Sequence, residues 1–175
     1  HFNNEELTGT MIFEDYFTPP SFYSNNDIVD VILVGAEYVS PKLDLKVSDA
    51  LTLFGKPGQV YMGVTLTSWF GNPDKKAYYE LILHYPELGV TAVYANQAII
   101  KGNVIQIYPQ KEFDPDFDVP IYYFWSQSVK NVFFEDYFVL LSFDFFPLTD
   151  FTSMDVTTFY EIFMDPDTTL WLETT

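Results

Sequence analysis

The chain has 175 residues, and its 25 acidic side chains against eight lysines give a formal net charge of −17. It contains no arginine and no cysteine. The missing cysteines exclude disulfide scaffolds, cysteine-ligated zinc, iron–sulfur clusters and thiol nucleophiles. The charge argues against nucleic-acid binding and against adhesion to anionic membranes, because little basic surface is present to neutralise phosphate groups.

The composition indicates one folded domain. Hydrophobic residues make up 48% of the chain and aromatic residues 19%, which is too apolar for a disordered acidic tail. We expect residues 1–10 to be a flexible N-terminal segment and residues 11–175 to form the domain. The start at His1, the acidic surface and the absent cysteines favour an exported protein, at the cell surface or outside a bacterium.

The first elements are a strand and an ambiguous segment. Met11–Phe17 is predicted to be a strand that ends before a pair of prolines. The segment Ile28–Val34 follows a cluster of cap-forming residues, which favours a helix, but its β-branched residues favour a strand. Gly35 ends the segment in either case.

Two short helices have clear boundaries in the sequence. The first spans Ser48–Phe54, with Ser48 as the predicted N-cap, and it ends at Gly55 before Pro57. The second spans Val156–Met164, begins after a cap-forming cluster at 152–155 and ends before Pro166.

Between and after the helices, aromatic and β-branched runs predict strands. Four runs joined by short turns predict an antiparallel meander: Val60–Phe70, Ala77–Tyr85, Val90–Ala95 and Asn103–Tyr108. In the second run, alternation predicts that one set of side chains faces the core: Tyr79, Leu81, Leu83 and Tyr85. Two further strands, at Ile121–Trp125 and Asn131–Phe143, precede a terminal apolar anchor at Leu170–Leu172. The predicted fold class is therefore α+β, an antiparallel sheet meander of about five to seven strands with two or three short helices on one face.

The aromatic residues are the candidates for contact with a partner. The pentapeptide at Phe13–Phe17 recurs at Phe134–Phe138, which indicates two similar strands or a duplicated docking element. The candidate interaction residues are Phe13, Tyr16, Phe17, Trp69, Trp125, Phe134 and Tyr137. The tryptophans, including Trp171, would also suit sugar stacking, and they suit an aromatic core equally well.

One stretch could hold a metal ion. Asp114, Asp116 and Asp118 place three carboxylates at alternate positions, and Ca²⁺ prefers such oxygen ligands. The glycine and the glutamate of a complete EF-hand loop are missing. A solvated acidic turn is the alternative, and no other cofactor is predicted.

A catalytic constellation is not evident. The sequence has no nucleophile elbow, no phosphate-binding loop and no dinucleotide fingerprint. Glycosidase chemistry needs two carboxylates at a defined separation, which a sequence cannot supply. We therefore expect a protein without enzymatic activity.

The helix–turn segment around residue 55 resembles a known kind of bacterial domain. Val47–Val60, with a helix followed by Gly55-Lys56-Pro57, resembles the entry of uncharacterised secreted or lipoprotein-like proteins of Chloroflexota-type bacteria. The following strand and turn at Tyr79–Val90 and the tail at Met154–Leu172 fit the same layout. A looser similarity is to BamE/SmpA-like domains, which share the helix, the G-x-P turn and the antiparallel strands. The resemblance implies a small extracytoplasmic α+β domain and transfers no catalytic residues.

Together these observations predict an extracytoplasmic, non-enzymatic domain that binds another protein, associates with itself or belongs to a cell-surface assembly. Nucleic acid is not an expected partner, and no membrane span is expected. One alternative is a Ca²⁺- or carbohydrate-binding module. Another is an acidic inhibitor that mimics DNA, which would need one continuous face of carboxylates.

Overall fold

The structure, a computed structural model, describes residues 9–10, 21–25, 28–35, 46–67, 76–110, 120–127 and 145–174. Within these residues the chain forms ten strands and three short helices. The strands are β1 Gly9–Thr10, β2 Ser21–Asn25, β3 Ile28–Gly35, β4 Gln59–Thr67, β5 Lys76–Tyr85, β6 Val90–Lys101, β7 Val104–Ile107, β8 Ile121–Trp125, β9 Phe146–Pro147 and β10 Leu172–Glu173. The helices are α1 Val47–Phe54, α2 Leu148–Phe151 and α3 Val156–Phe163.

The strands form an antiparallel sheet in the order β1-β2-β3-β8-β6-β5-β4-β9. Strand β7 pairs with the end of β6, and β10 pairs with β7. The α+β class and the meander β4-β5-β6-β7 are therefore confirmed. The described strands outnumber the five to seven predicted, because short pairings at 9–10, 146–147 and 172–173 extend the sheet. The predicted strand at Ile121–Trp125 is β8, and it lies between β3 and β6.

The helices cover one face of the sheet. The predicted core set of β5 is fully buried there, beneath α1, α2 and α3. Phe159 and Phe163 of α3 pack against each other, with ring centroids 4.9 Å apart, and both are buried. The burial of this face confirms the alternation that was predicted for β5.

The opposite face of the sheet is also buried over part of its area. Alternation along β5 predicts that Ile82 and His84 lie on the side away from the core. In the structure Ile82 belongs to a second buried cluster with Val93 of β6 and Trp125 of β8, and the buried His84 stacks on Trp125. A strand buried on both faces loses its hydrophobic alternation. The sequence predicted a single apolar face, and here the structure differs.

The helix ends follow local capping chemistry. Helix α1 begins at Val47, and its N-cap lies two residues before the predicted one, because Asp49 at its third position accepts a hydrogen bond from the Lys46 amide at 2.9 Å. Lys46 rather than Ser48 is therefore the N-cap. Helix α3 begins as predicted, with the Asp155 carboxylate accepting from the Thr158 amide at 2.7 Å.

The ambiguous segment at Ile28 is a strand, β3, and not a helix. The predicted strands Met11–Phe17 and Asn131–Phe143 lie outside the described residues. In the part of the chain that the structure describes, none of the helices has the length and apolar character needed to cross a membrane.

Candidate functional site

Of the candidate interaction residues, the structure describes Trp125 alone. Phe13, Tyr16, Phe17, Trp69, Phe134 and Tyr137 lie outside the described residues, as do the calcium candidates Asp114, Asp116 and Asp118. Their roles stay predictions. Among the described residues, no three acidic, histidine or cysteine side chains come together as a metal site.

Trp125 lies in the core of the second cluster. It is 6% exposed, and its indole N–H donates to Thr91 Oγ1 at 3.2 Å. Its ring stacks on His84 at 5.5 Å between centroids, and His84 Nδ1 lies 2.9 Å from the same Thr91 hydroxyl. The shared hydroxyl fixes both rings, so these three residues act as a packed unit of the sheet.

A cluster of buried tyrosines lies between the sheet and α1. The Tyr94 hydroxyl lies 3.0 Å from that of Tyr122 and 3.3 Å from the Lys46 carbonyl oxygen. If Tyr94 donates to the carbonyl, Tyr122 donates to Tyr94, and both hydroxyls are satisfied. Burial raises the pKa of Tyr122 to about 12 and the pKa of Tyr94 well above its ordinary value. Both phenols are therefore neutral at pH 7.

Gln110 ties the two longer helices together. Its side-chain carbonyl accepts from the Ser48 amide at 3.3 Å, near the start of α1. Its Nε2 donates to the carbonyl oxygens of Phe163, at the end of α3, and of Asp165. The side chain is buried, so this amide stabilises the arrangement of the helices and is not available to a ligand.

The surface with the strongest functional character is the outward side of the small sheet formed by β6, β7 and β10. Residues opposite each other on paired strands share one side of a sheet, and alternate residues of a strand do too. Ile99 pairs with Gln106, and Gln106 pairs with Glu173. Tyr108 and Trp171 lie two residues from Gln106 and Glu173. We call this surface the outer face: Ile99, Gln106, Tyr108, Trp171 and Glu173.

The intervening residues confirm the direction of the outer face. Ile107 and Leu172, which pair with each other, are buried in the main core on the helix side. Of the predicted terminal anchor, therefore, only Leu172 is buried, whereas Leu170 is 51% and Trp171 40% exposed. Alternation explains why Trp171 and Leu172 point to opposite sides of the sheet, whereas Leu170 lies before the strand, which begins at Leu172.

Two aromatic rings form the centre of the outer face. Tyr108 and Trp171 stack with their centroids 5.1 Å apart and their planes at 29°. The Tyr108 hydroxyl donates to the Thr168 carbonyl oxygen at 2.9 Å, which fixes its ring. Ile99, which is 51% exposed, adds an aliphatic group on the neighbouring strand. An indole held in place and partly open to solvent is a ready anchor for a ligand or partner.

Polar groups border these rings. The Gln106 side-chain amide donates to Glu173 Oε1 on the same side of the sheet. Asp165 and Asp167 lie in the turn that precedes Thr168, where the Asp167 amide donates to Asp165 Oδ1 at 3.0 Å. The outer face thus combines an apolar centre with a polar, mostly acidic border, which is the anatomy of many protein interfaces.

A second, smaller feature lies beside β4 and β9. A cavity of about 90 Å³ opens between β4, β9 and the helices, and its walls are mostly apolar. Its lining consists of Gln59, Val60, Tyr61, Pro147, Leu148, Thr149 and Val156. This volume is far below the several hundred Å³ of a typical small-molecule pocket, so the outer face is the better candidate site.

Comparisons of the chain with protein-family models, with curated proteins and with solved structures found no match. The resemblance to lipoprotein-like bacterial domains therefore stays a prediction. The assignment of a site rests on the geometry of the described residues.

Proposed function

We propose that the protein is an extracytoplasmic, non-enzymatic domain that binds another protein through the outer face, as part of an assembly at a bacterial cell surface. The observation that supports this most strongly is the exposed indole of Trp171, stacked on Tyr108 in the middle of that face. Tryptophan is among the residues that contribute most to protein binding when it becomes desolvated. Covering the exposed part of this side chain by a partner would remove apolar surface from water, which favours binding.

The arrangement also supports specificity. Ile99 and Trp171 provide apolar contact area, and Gln106 and Glu173 provide hydrogen-bonding groups between and beside them. Tyr108 orders the indole before any partner arrives, which lowers the conformational entropy lost on binding. A rim of acidic groups would orient a partner of opposite charge.

Site-specific photo-crosslinking tests this proposal. A benzophenone side chain introduced in place of Ile99 reports on the outer face, and one in place of Thr157 on the exposed side of α3 is the matched control. We expect a crosslinked partner from the native source at position 99 but not at 157. An excess of wild-type protein without benzophenone should abolish the crosslink at position 99, because it competes for the partner, whereas an excess of Trp171→Ala should not.

The mass of the crosslinked product separates a second copy of the chain from a different protein. Light scattering at high protein concentration gives an independent measure of self-association. A strict monomer that forms no specific crosslink at position 99 would contradict the proposal.

A second candidate function, carbohydrate binding, has an observation of its own in favour. An open indole next to a side-chain amide and a carboxylate matches the apolar ring face and the hydroxyl groups of a neutral sugar. Titration of the protein with neutral oligosaccharides, followed by tryptophan fluorescence in wild type and in Trp171→Ala, tests it. A saturable change that needs Trp171 would favour this function, and no change at millimolar sugar would remove it.

A further inference from the structure

We infer that the outer face receives an arginine side chain from a basic segment of another protein, with the guanidinium stacked on the Trp171 indole and paired with the Glu173 carboxylate. The inference rests on the proposed function, since it names the chemistry of the partner at the same surface. It does not follow from that function, because an apolar partner would satisfy the proposal equally well.

The aromatic half of this site is ordered and open. Tyr108 stacks on one side of the indole at 5.1 Å between centroids, and Trp171 is 40% exposed, which leaves indole surface open to a cation. Tryptophan presents the best aromatic face for a cation. The planar, weakly hydrated guanidinium stacks on such a face more readily than an ammonium group does.

The carboxylate half lies within reach of a guanidinium on that ring. Glu173 of β10 and Trp171, which directly precedes that strand, both belong to the outer face and are two residues apart, so their Cα atoms lie about 7 Å apart along an extended chain. The Gln106 amide holds Glu173 Oε1, so the carboxylate is oriented while its second oxygen can still accept a guanidinium N–H. Arginine satisfies a carboxylate and a ring at once because its donors project from the edge of the plane that stacks.

The surrounding charges favour a cation from another protein over a second copy of this chain. Asp165 and Asp167 occupy the exposed turn that the Tyr108 hydroxyl contacts through Thr168. Among the described residues of this sheet, Lys101 at the end of β6 lies on the same side as the outer face, since it is two residues from Ile99. The net charge of −17 attracts basic segments and repels another copy, and the chain has no arginine of its own to offer.

A nuclear magnetic resonance titration tests the inference with a defined probe. The probe is the capped tripeptide acetyl-glycyl-arginyl-glycine amide, and the matched probe replaces arginine with citrulline, which has nearly the same shape but no charge. We expect the indole N–H resonance of Trp171, assigned by Trp171→Phe, to shift saturably with the arginine peptide. The citrulline peptide should bind at least about fivefold more weakly, the equivalent of about 1 kcal/mol.

Variants of the protein separate the two halves of the site. Glu173→Gln should weaken the arginine peptide about fivefold or more, read at the Trp171 indole. Trp171→Ala should abolish binding, read at the backbone amides of Ile99 and Gln106. Glu161→Gln removes an exposed carboxylate of α3 and should leave binding unchanged, as should Leu170→Ala, which removes an exposed side chain beside Trp171.

Equal shifts with the arginine and citrulline peptides, or none with either, would overturn the inference. A loss of binding in Glu161→Gln as large as in Glu173→Gln would also overturn it, since the effect would then come from overall charge. In each of these cases a specific crosslink at position 99 would still support the proposed function. Saturable binding of a neutral sugar instead of arginine would overturn the inference in favour of a carbohydrate ligand.

Discussion

Two glycines with the same backbone conformation give a direct test of the fold. Gly89, in the turn between β5 and β6, has φ of 66°, and Gly102, in the turn between β6 and β7, has φ of 65°. A Cβ added at Gly89 would lie 2.4 Å from the Trp125 carbonyl oxygen, whereas one added at Gly102 would meet nothing within 4 Å. Alanine at either position therefore suffers the same strain in φ, but only Gly89→Ala also meets the backbone of β8.

The contacts give the size of the expected difference. A positive φ costs an L-residue about 1–2 kcal/mol, and the reduced entropy of the unfolded chain offsets about 0.4–1 kcal/mol of it. We therefore expect Gly102→Ala to lower the free energy of unfolding by about 1 kcal/mol. In Gly89→Ala the turn must also move away from β8, which strains the packing and weakens the 2.8 Å hydrogen bond from the Trp125 amide to the Gly89 carbonyl oxygen. The total should reach about 3 kcal/mol or more.

Urea-induced unfolding of the two variants and of wild type measures this difference. Tryptophan fluorescence reports the transition, because Trp125 is buried next to the turn. A difference of at least about 2 kcal/mol between the variants agrees with the structure. Equal destabilisation, within about 0.5 kcal/mol, would refute the close approach of the turn to β8 and with it the position of β8 beside β6.

Three further predictions concern the polar core and the outer face. Gln110→Ala should lower the free energy of unfolding by about 2–4 kcal/mol, because it leaves buried backbone groups of α1 and α3 without a partner. The control Gln106→Ala should lower it by less than about 0.5 kcal/mol, and thermal denaturation of both variants would show whether the buried amide joins the helices. Because burial raises the pKa of Tyr122 from 10 to about 12, its contribution to stability is complete below pH 10 and falls as the pH rises towards 12. The difference in unfolding free energy between wild type and Tyr122→Phe should therefore shrink over that range, and a difference that grows would contradict the assignment. Phe159→Ala should cost about 3–5 kcal/mol and Trp171→Ala less than about 1 kcal/mol in denaturant unfolding, and a reversed order would place Trp171 in the core.

The local elements were predictable because their signals lie within a few residues of each other. The turn at 86–89 and the alternation of β5 correctly predicted a hairpin and its core face. The cap-forming cluster at 152–155 correctly predicted the start of α3 for the same reason, and Asp155 is the residue in it that caps the helix. These features depend on neighbouring residues, which a sequence displays directly.

Features that depend on distant pairing were not predictable. The pairing of β8 with β3 joins residues more than 80 positions apart, and no local pattern specifies it. The burial of His84 follows from that pairing, because Trp125 of β8 stacks on its ring. A single alternating strand cannot reveal a second layer of this kind.

The outer face was missed for a related reason. Three consecutive apolar residues at 170–172 predict a buried anchor that includes Trp171. The pairing of Leu172 with Ile107 buries one of them and turns Trp171 towards solvent. The signal that could have found it is the alternation from Trp171 to Glu173, which places an aromatic ring and a carboxylate on one side of a strand.

The affinity of the crosslinked partner for three forms of the protein tests the central claim most directly. Isothermal titration calorimetry would compare wild type with Trp171→Ala and with Leu170→Ala. Each variant loses one exposed side chain, and the two positions are neighbours in the sequence. We predict that Trp171→Ala weakens binding by about 30-fold or more, equivalent to about 2 kcal/mol, while Leu170→Ala changes it by less than about threefold. Equal affinities for wild type and Trp171→Ala would contradict the assignment of the outer face as the binding surface.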